Sequence, residues 1–129
     1  MDENLGKGEE AEEFLRTYFL GLGYYVIRSI NFVYKGFDVT DIDLFLYNKV
    51  SPFSRERIIV DIKNKKTPQA IERIFWTRGL QDVLNMDKAI VATTDTRQEI
   101  TDFGKQNNIY VLDGNLQSRL RDGYSKTKN

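Results

Sequence analysis

The stretch Ile58-Ile59-Val60-Asp61-Ile62-Lys63 constrains this chain more than any other. Three successive β-branched residues stiffen the backbone towards strand and offer apolar surface to both sides of a sheet. Side chains alternate along a strand, so Asp61 and Lys63 emerge on one face. By themselves, an acid and a lysine at the end of an apolar strand read as an edge ion pair. They read as chemistry when further acids converge on the same end.

The flanking segments supply a sheet for this strand to join. Between Gly8 and Leu22 the apolar positions are Ala11, Phe14, Leu15, Tyr18, Phe19 and Leu22, the period of an amphipathic helix with Gly23 as its C-terminal cap. Glu9 and Glu13 point to solvent, Glu12 borders the apolar stripe beside Phe19, and Glu10 is second-best placed to enter a cleft. Residues 24–30 form a strand, residues 31–39 a connecting loop around Gly36, and residues 41–47 a second strand. Residues 48–56, with Ser51-Pro52, turn the chain into the third strand at 57–63, pairing antiparallel with the second.

Thr67-Pro68 has the form of a helix start, and the helix after it carries Ile71, Ile74, Phe75, Leu80, Val83 and Leu84. Of the adjacent pair Phe75 and Trp76, one is expected in the core and Trp76 outside. Residues 88–93 form a nearly all-apolar, central strand. Thr96-Arg97-Gln98-Glu99 has the pattern of a capping box opening a helix to about Asn107, with Ile100 and Phe103 inward. Residues 109–112 form the last strand, stopped by Asp113-Gly114. A short turn or helix at 115–120 leads to a polar tail at about 121–129. Helices between strands favour crossovers, so the expected fold is α/β with a mixed central sheet and helices on both faces, in a single domain over 1–129.

Composition limits the chemistry. The chain has no cysteine and no histidine, which excludes thiolate and imidazole nucleophiles and ligands. A bound metal must be held by oxygen, which favours Mg²⁺, with Mn²⁺ as substitute. Net charge is zero, but the acids crowd into residues 1–13, and residues 14–129 carry 18 basic against 13 acidic residues. That surplus suits a modest phosphate-binding surface. No apolar run reaches about 18 residues and the N-terminus has no signal-peptide pattern, so the expectation is a soluble cytoplasmic protein without a membrane partner.

Four residues are then expected to converge: Glu12, Asp43, Asp61 and Lys63. Antiparallel pairing brings the Asp43 and Asp61 carboxylates within a few ångströms, where like charges repel unless a cation lies between them. A divalent ion resolves that conflict, and Lys63 beside it offers positive charge to a phosphate.

Asp43 followed by Asp61-Ile62-Lys63 resembles the PD-(D/E)xK nuclease signature of the restriction-endonuclease-like fold, with Ile42 where the signature has proline. Lys7-Gly8-Glu9-Glu10-Ala11-Glu12 and Gly23-Tyr24-Tyr25-Val26-Ile27-Arg28-Ser29 are similar to the opening of archaeal Holliday-junction resolvases. Residues 87–94 and 108–114 look like Mrr-type restriction endonuclease domains. The resemblance covers about 7–116. It implies an αβββαβ core plus an additional C-terminal helix and strand, and a Mg²⁺-dependent endodeoxyribonuclease of restriction, repair or recombination. It assigns Asp43, Asp61 and the Ile62 carbonyl to the ion, Glu12 to a water or a second ion, and Lys63 to catalysis. It makes Arg28 and Ser29 candidates for DNA phosphate, and Gln81 on the second helix a candidate for orienting DNA or water. Lys65 and Lys66 form a basic loop able to bind phosphate. The segment 31–41 is longer than in the resolvases, which keeps Asp38 and Asp41 open as alternatives to Asp43. The partners implied are DNA, a second copy in a symmetric dimer, and a protein supplying specificity. Two other readings stand beside this one: a catalytically silent DNA-binding or protein-interaction module, and an RNA nuclease working within a complex.

Overall fold

A computed structural model describes residues 7–63 and 69–128, with side chains over 9–63 and 69–123. The elements run α1 (Lys7–Gly21), β1 (Tyr25–Tyr34), β2 (Phe37–Ser51), β3 (Ser54–Lys63), α2 (Ala70–Leu84), β4 (Lys88–Thr93), α3 (Gln98–Gln106), β5 (Tyr110–Leu112) and α4 (Gly114–Lys128). The five strands form one mixed sheet in the order β1-β2-β3-β4-β5. β1, β2 and β3 pair antiparallel, and β3, β4 and β5 pair parallel through the α2 and α3 crossovers. This is the expected α/β architecture. No described helix is long and apolar enough to cross a membrane.

Strand alternation gives the sheet two apolar faces. Leu44, Leu46, Ile58, Val60, Ile62 and Ala92 face α1, which buries Ala11, Leu15 and Phe19 against them. Ile59, Ala89 and Val91 face the other layer, with Ala70, Ile74 and Ile100. Apolar β3, buried on both sides, is therefore the centre of the molecule. α4 touches α1 through Arg121, whose guanidinium lies 5.2 Å from the centre of the Phe14 ring. The Gln117 amide donates to the Thr93 and Leu112 carbonyls, tying α4 to the sheet.

The strands are longer than the sequence reading gives. The loop expected over 31–39 is a hairpin whose connection is only Lys35-Gly36, both with positive φ (46° and 84°). That is the geometry of a two-residue primed turn, and Phe32, Val33, Tyr34, Phe37 and Val39 on either side are strand formers. The turn between β2 and β3 likewise shrinks to Pro52-Phe53.

Helix boundaries differ for local reasons. Gly23 does end α1, at φ 97° with its N–H on the Leu20 carbonyl, but Leu22, past that end, is exposed. Thr67 and Pro68 lie outside the described residues, and α2 begins after Gln69 without a side-chain cap. Both Phe75 and Trp76 are exposed, because α2 packs through Ala70, Ile74, Thr77 and Gln81. The capping box at Thr96 does not form. Instead the buried Asp95 accepts the Arg97 N–H and its guanidinium, and α3 starts at Gln98. The short element and polar tail expected after 114 are one 15-residue helix, started by the Asp113 carboxylate accepting the Leu116 N–H at 2.8 Å.

Candidate functional site

β2 and β3 part company at Asp43. Their ladder runs to Leu44↔Val60, after which β2 pairs only with β1 and β3 only with β4. Continued in register, the ladder would set Ile42 opposite Ile62. At the fork the Asp43 carboxylate takes over, accepting the Ile62 N–H at 2.7 Å. A buried N–H needs a partner, and a charged acceptor is a strong one.

The alternation of β2 breaks at the same place. Ile42 packs into the α2–α3 layer while Leu44, two residues on, packs into the α1 layer. Strict alternation would put both on one face, with Asp41 and Asp43 together on the other. β1 follows the same course: Arg28, opposite Leu44, reaches α1, and Ile30, opposite Ile42, packs in the other layer. Ser29 between them has φ 54°, a left-handed residue that turns the strand. Asp43 thereby lies within the fork, half-buried. Asp38 and Asp41, the alternative ligands, stay exposed and share the Asn31 amide at 2.8 and 2.7 Å.

Three charges act on Asp43. Burial pushes its carboxyl up to about 6, and the charges of Asp61 and Glu12 push the same way; the Ile62 N–H and Lys63 oppose them. Asp61 faces α2, and alternation puts Lys63 beside it. Glu12 arrives from α1, held by the Arg28 guanidinium at 3.2 Å, with Arg28 also binding Glu13 at 2.9 Å. Asp43 thus feels the charges of Glu12, Asp61 and Lys63, but Glu12 itself contacts Arg28, and α1 and α2 lie on opposite faces of the sheet.

Two residues absent from the predicted site complete it. Arg73, in the first turn of α2, donates Nη2 to Asp61 Oδ1 at 2.6 Å and Nε to Oδ2 at 2.9 Å. Thr77, one turn on, is fully buried, and its hydroxyl has no hydrogen-bond partner among the described residues. It lines a cavity of about 10 Å³ with Asp43, Asp61, Trp76 and Leu80. Such a space holds at most about one water. Helical periodicity over the apolar residues of α2 points away from both, because the buried face includes the polar Thr77 and Gln81. The detectable signal was the crossover itself, which returns the start of α2 to the end of β3.

The other predicted residues are placed differently. Gln81 is buried eight residues beyond Arg73, about 12 Å along the axis. Its side chain meets Arg78 and the Met86 carbonyl, and it lines a groove of about 880 Å³ with Arg78, Lys88, Lys105, Tyr110 and Leu116. It does not join the acids. Lys65 and Lys66 lie outside the described residues.

The donor set fits a hard divalent cation. It is all oxygen, and Asp43 keeps Oδ1 beyond the atom bonded to Ile62. Burial first, and then the charges of Asp61 and Glu12, disfavour the ionised Asp43 carboxylate, which a bound cation would relieve. Among the described residues no three acidic side chains stand close enough to hold a metal. The ligands would be two carboxylates and the Ile62 carbonyl, with water completing the shell, as is usual for Mg²⁺. Compared with models of protein families and with curated proteins, the chain matches none, so its functional reading rests on these residues and their geometry.

Proposed function

We propose that the protein is a Mg²⁺-dependent endodeoxyribonuclease with a restriction-endonuclease-like core, cutting DNA in restriction, repair or recombination. The observation that carries this reading is Asp43, seated in the fork of β2 and β3 on the Ile62 N–H, with Asp61, Lys63 and Glu12 around it. A purely structural acid has little reason to be half-buried among like charges at a cost to stability.

Asp43, Asp61 and the Ile62 carbonyl would hold the ion. Bound there, it supplies Lewis-acid polarisation of a phosphodiester oxygen and a more acidic water. Lys63, beside Asp61, offers its ammonium group to the charge that develops on the phosphoryl oxygens. Glu12, fixed by Arg28, accepts a hydrogen bond from the attacking water and orients it. Ser29 and the exposed edge of Arg28 lie on the β1 side of the fork, available to backbone phosphate. Cutting both strands of a duplex or junction needs two such sites, which a symmetric dimer provides.

One observation favours a second reading. Arg73 engages both oxygens of Asp61, as in a closed ion pair, and this suits a catalytically silent DNA-binding or protein-interaction module. The deciding experiment incubates the purified protein with Mg²⁺ or Mn²⁺ on plasmid, linear and four-way-junction DNA, beside Asp61→Asn and Lys63→Ala. Cleavage by the wild type alone supports the nuclease. Equal cleavage by all three, or none by any, removes it.

A further inference from the structure

Arg73 is the residue that the proposed chemistry leaves without a task, and it occupies the most sensitive position in the site. Its guanidinium engages Asp61 side-on, with one nitrogen on each oxygen. Bidentate pairing of this kind occupies the lone pairs that a cation would seek. The side chains are one-quarter and one-seventh exposed, so water screens the pair little (25% and 14%). The charge of Asp43 also acts on Arg73. It is held from behind as well, with its centre 5.8 Å from that of the Trp76 ring, one turn along α2. Asp43 and Asp61 carry two negative charges at most, and Arg73 with Lys63 already matches them. A divalent ion would meet a neutral site unless one of these cations withdrew.

We propose that Arg73 is a placeholder cation: it holds Asp61 in the metal-free protein, and divalent metal binds only in competition with it. The inference rests on the nuclease reading of the same site. Its consequence is that wild-type metal affinity is set below what the acids alone would give. Metal occupancy then becomes sensitive to anything that draws Arg73 away, a DNA phosphate being its natural alternative partner.

The test is calorimetric titration of the whole chain with Mn²⁺, without DNA, for wild type, Arg73→Gln and Arg73→Lys. Arg73→Gln removes the competing charge and should bind Mn²⁺ about tenfold more tightly, equivalent to about 1.4 kcal/mol. Arg73→Lys keeps the charge but loses the two-pronged contact and should fall between. Thermal melting checks folding. In EDTA, Arg73→Gln should melt below wild type, because the two acids lose their shared counter-charge, and Mn²⁺ should restore it by a larger shift than wild type shows. Mn²⁺ binding by wild type with equal or weaker binding by Arg73→Gln would overturn the placeholder role alone, since Arg73 would then support the ligand instead of competing with the metal. Absence of Mn²⁺ binding in all three would overturn the metal-dependent reading itself.

Discussion

Replacing Asp43 by asparagine should make the metal-free protein more stable at neutral pH. A carboxyl that titrates near 6 instead of its ordinary 3.8 takes up its proton more readily when folded than when unfolded. The folded state therefore binds more protons between these values, and stability falls as pH rises through that window. With about 1.36 kcal/mol per pH unit, the cost of ionised Asp43 is about 0.5 kcal/mol at pH 4 and approaches about 3 kcal/mol at pH 8. Asparagine keeps an oxygen for the Ile62 N–H, removes the charge, and turns an amide towards Asp61 and Glu12. The variant should gain about 1–3 kcal/mol at pH 8, or roughly 3–10 °C in melting temperature for a domain of this size. The assay is thermal or urea unfolding in EDTA at pH 8 and pH 4, reading the difference from wild type at each. The gain should shrink several-fold at pH 4. Adding Mg²⁺ at pH 8 should stabilise wild type and leave the variant nearly unmoved. A variant no more stable than wild type at pH 8, or equally stabilised at both pH values, would refute the claim that burial and neighbouring acids strain this carboxylate.

The remaining predictions concern separate parts of the molecule. Lys63→Ala should lower Mg²⁺-dependent DNA cleavage by about 100-fold or more with an unchanged circular dichroism spectrum, since a charge aimed at the reacting phosphate is lost without a core contact. Thr77→Val replaces a buried hydroxyl that has no partner among the described residues by a methyl group, and should be neutral or stabilising by up to about 1 kcal/mol; a loss of more than about 1 kcal/mol in urea unfolding would mean the hydroxyl is hydrogen-bonded. Gly104→Ala would put a Cβ 2.5 Å from Val111 Cγ2 and 2.9 Å from the Ile109 carbonyl oxygen, where α3 crosses the start of β5. Backbone has to move, so a loss of about 1–3 kcal/mol is expected in the same unfolding assay.

Much of this arrangement was legible because it follows from local pattern. The nearly all-apolar run at Lys88–Thr93 is a strand over the expected residues and lies inside the sheet. The period of Ala11, Leu15 and Phe19 gives the buried face of α1, and it leaves Glu12 at the border, where it binds Arg28 and its charge acts on Asp43. The hairpin at Lys35-Gly36 was also available from its two-residue turn between strand formers, but the polar residues Asn31 and Asp38 read as loop. They pair with each other across that hairpin at 2.8 Å.

The sequence by itself determined the layers and the chemistry available to them. Its periods fix which helices and strands exist, and the absence of histidine and cysteine leaves only oxygen ligands. Tertiary structure decided which acid matters and what opposes it. Asp41 and Asp43 share one face in a strict strand pattern, and only the parting of β2 from β3 buries Asp43 on the Ile62 N–H. Arg73 looks like one of several surface arginines until the crossover carries α2 back over the end of β3. Both outcomes depend on contacts between segments far apart in the chain, and short-range periodicity carries no information about where such segments meet.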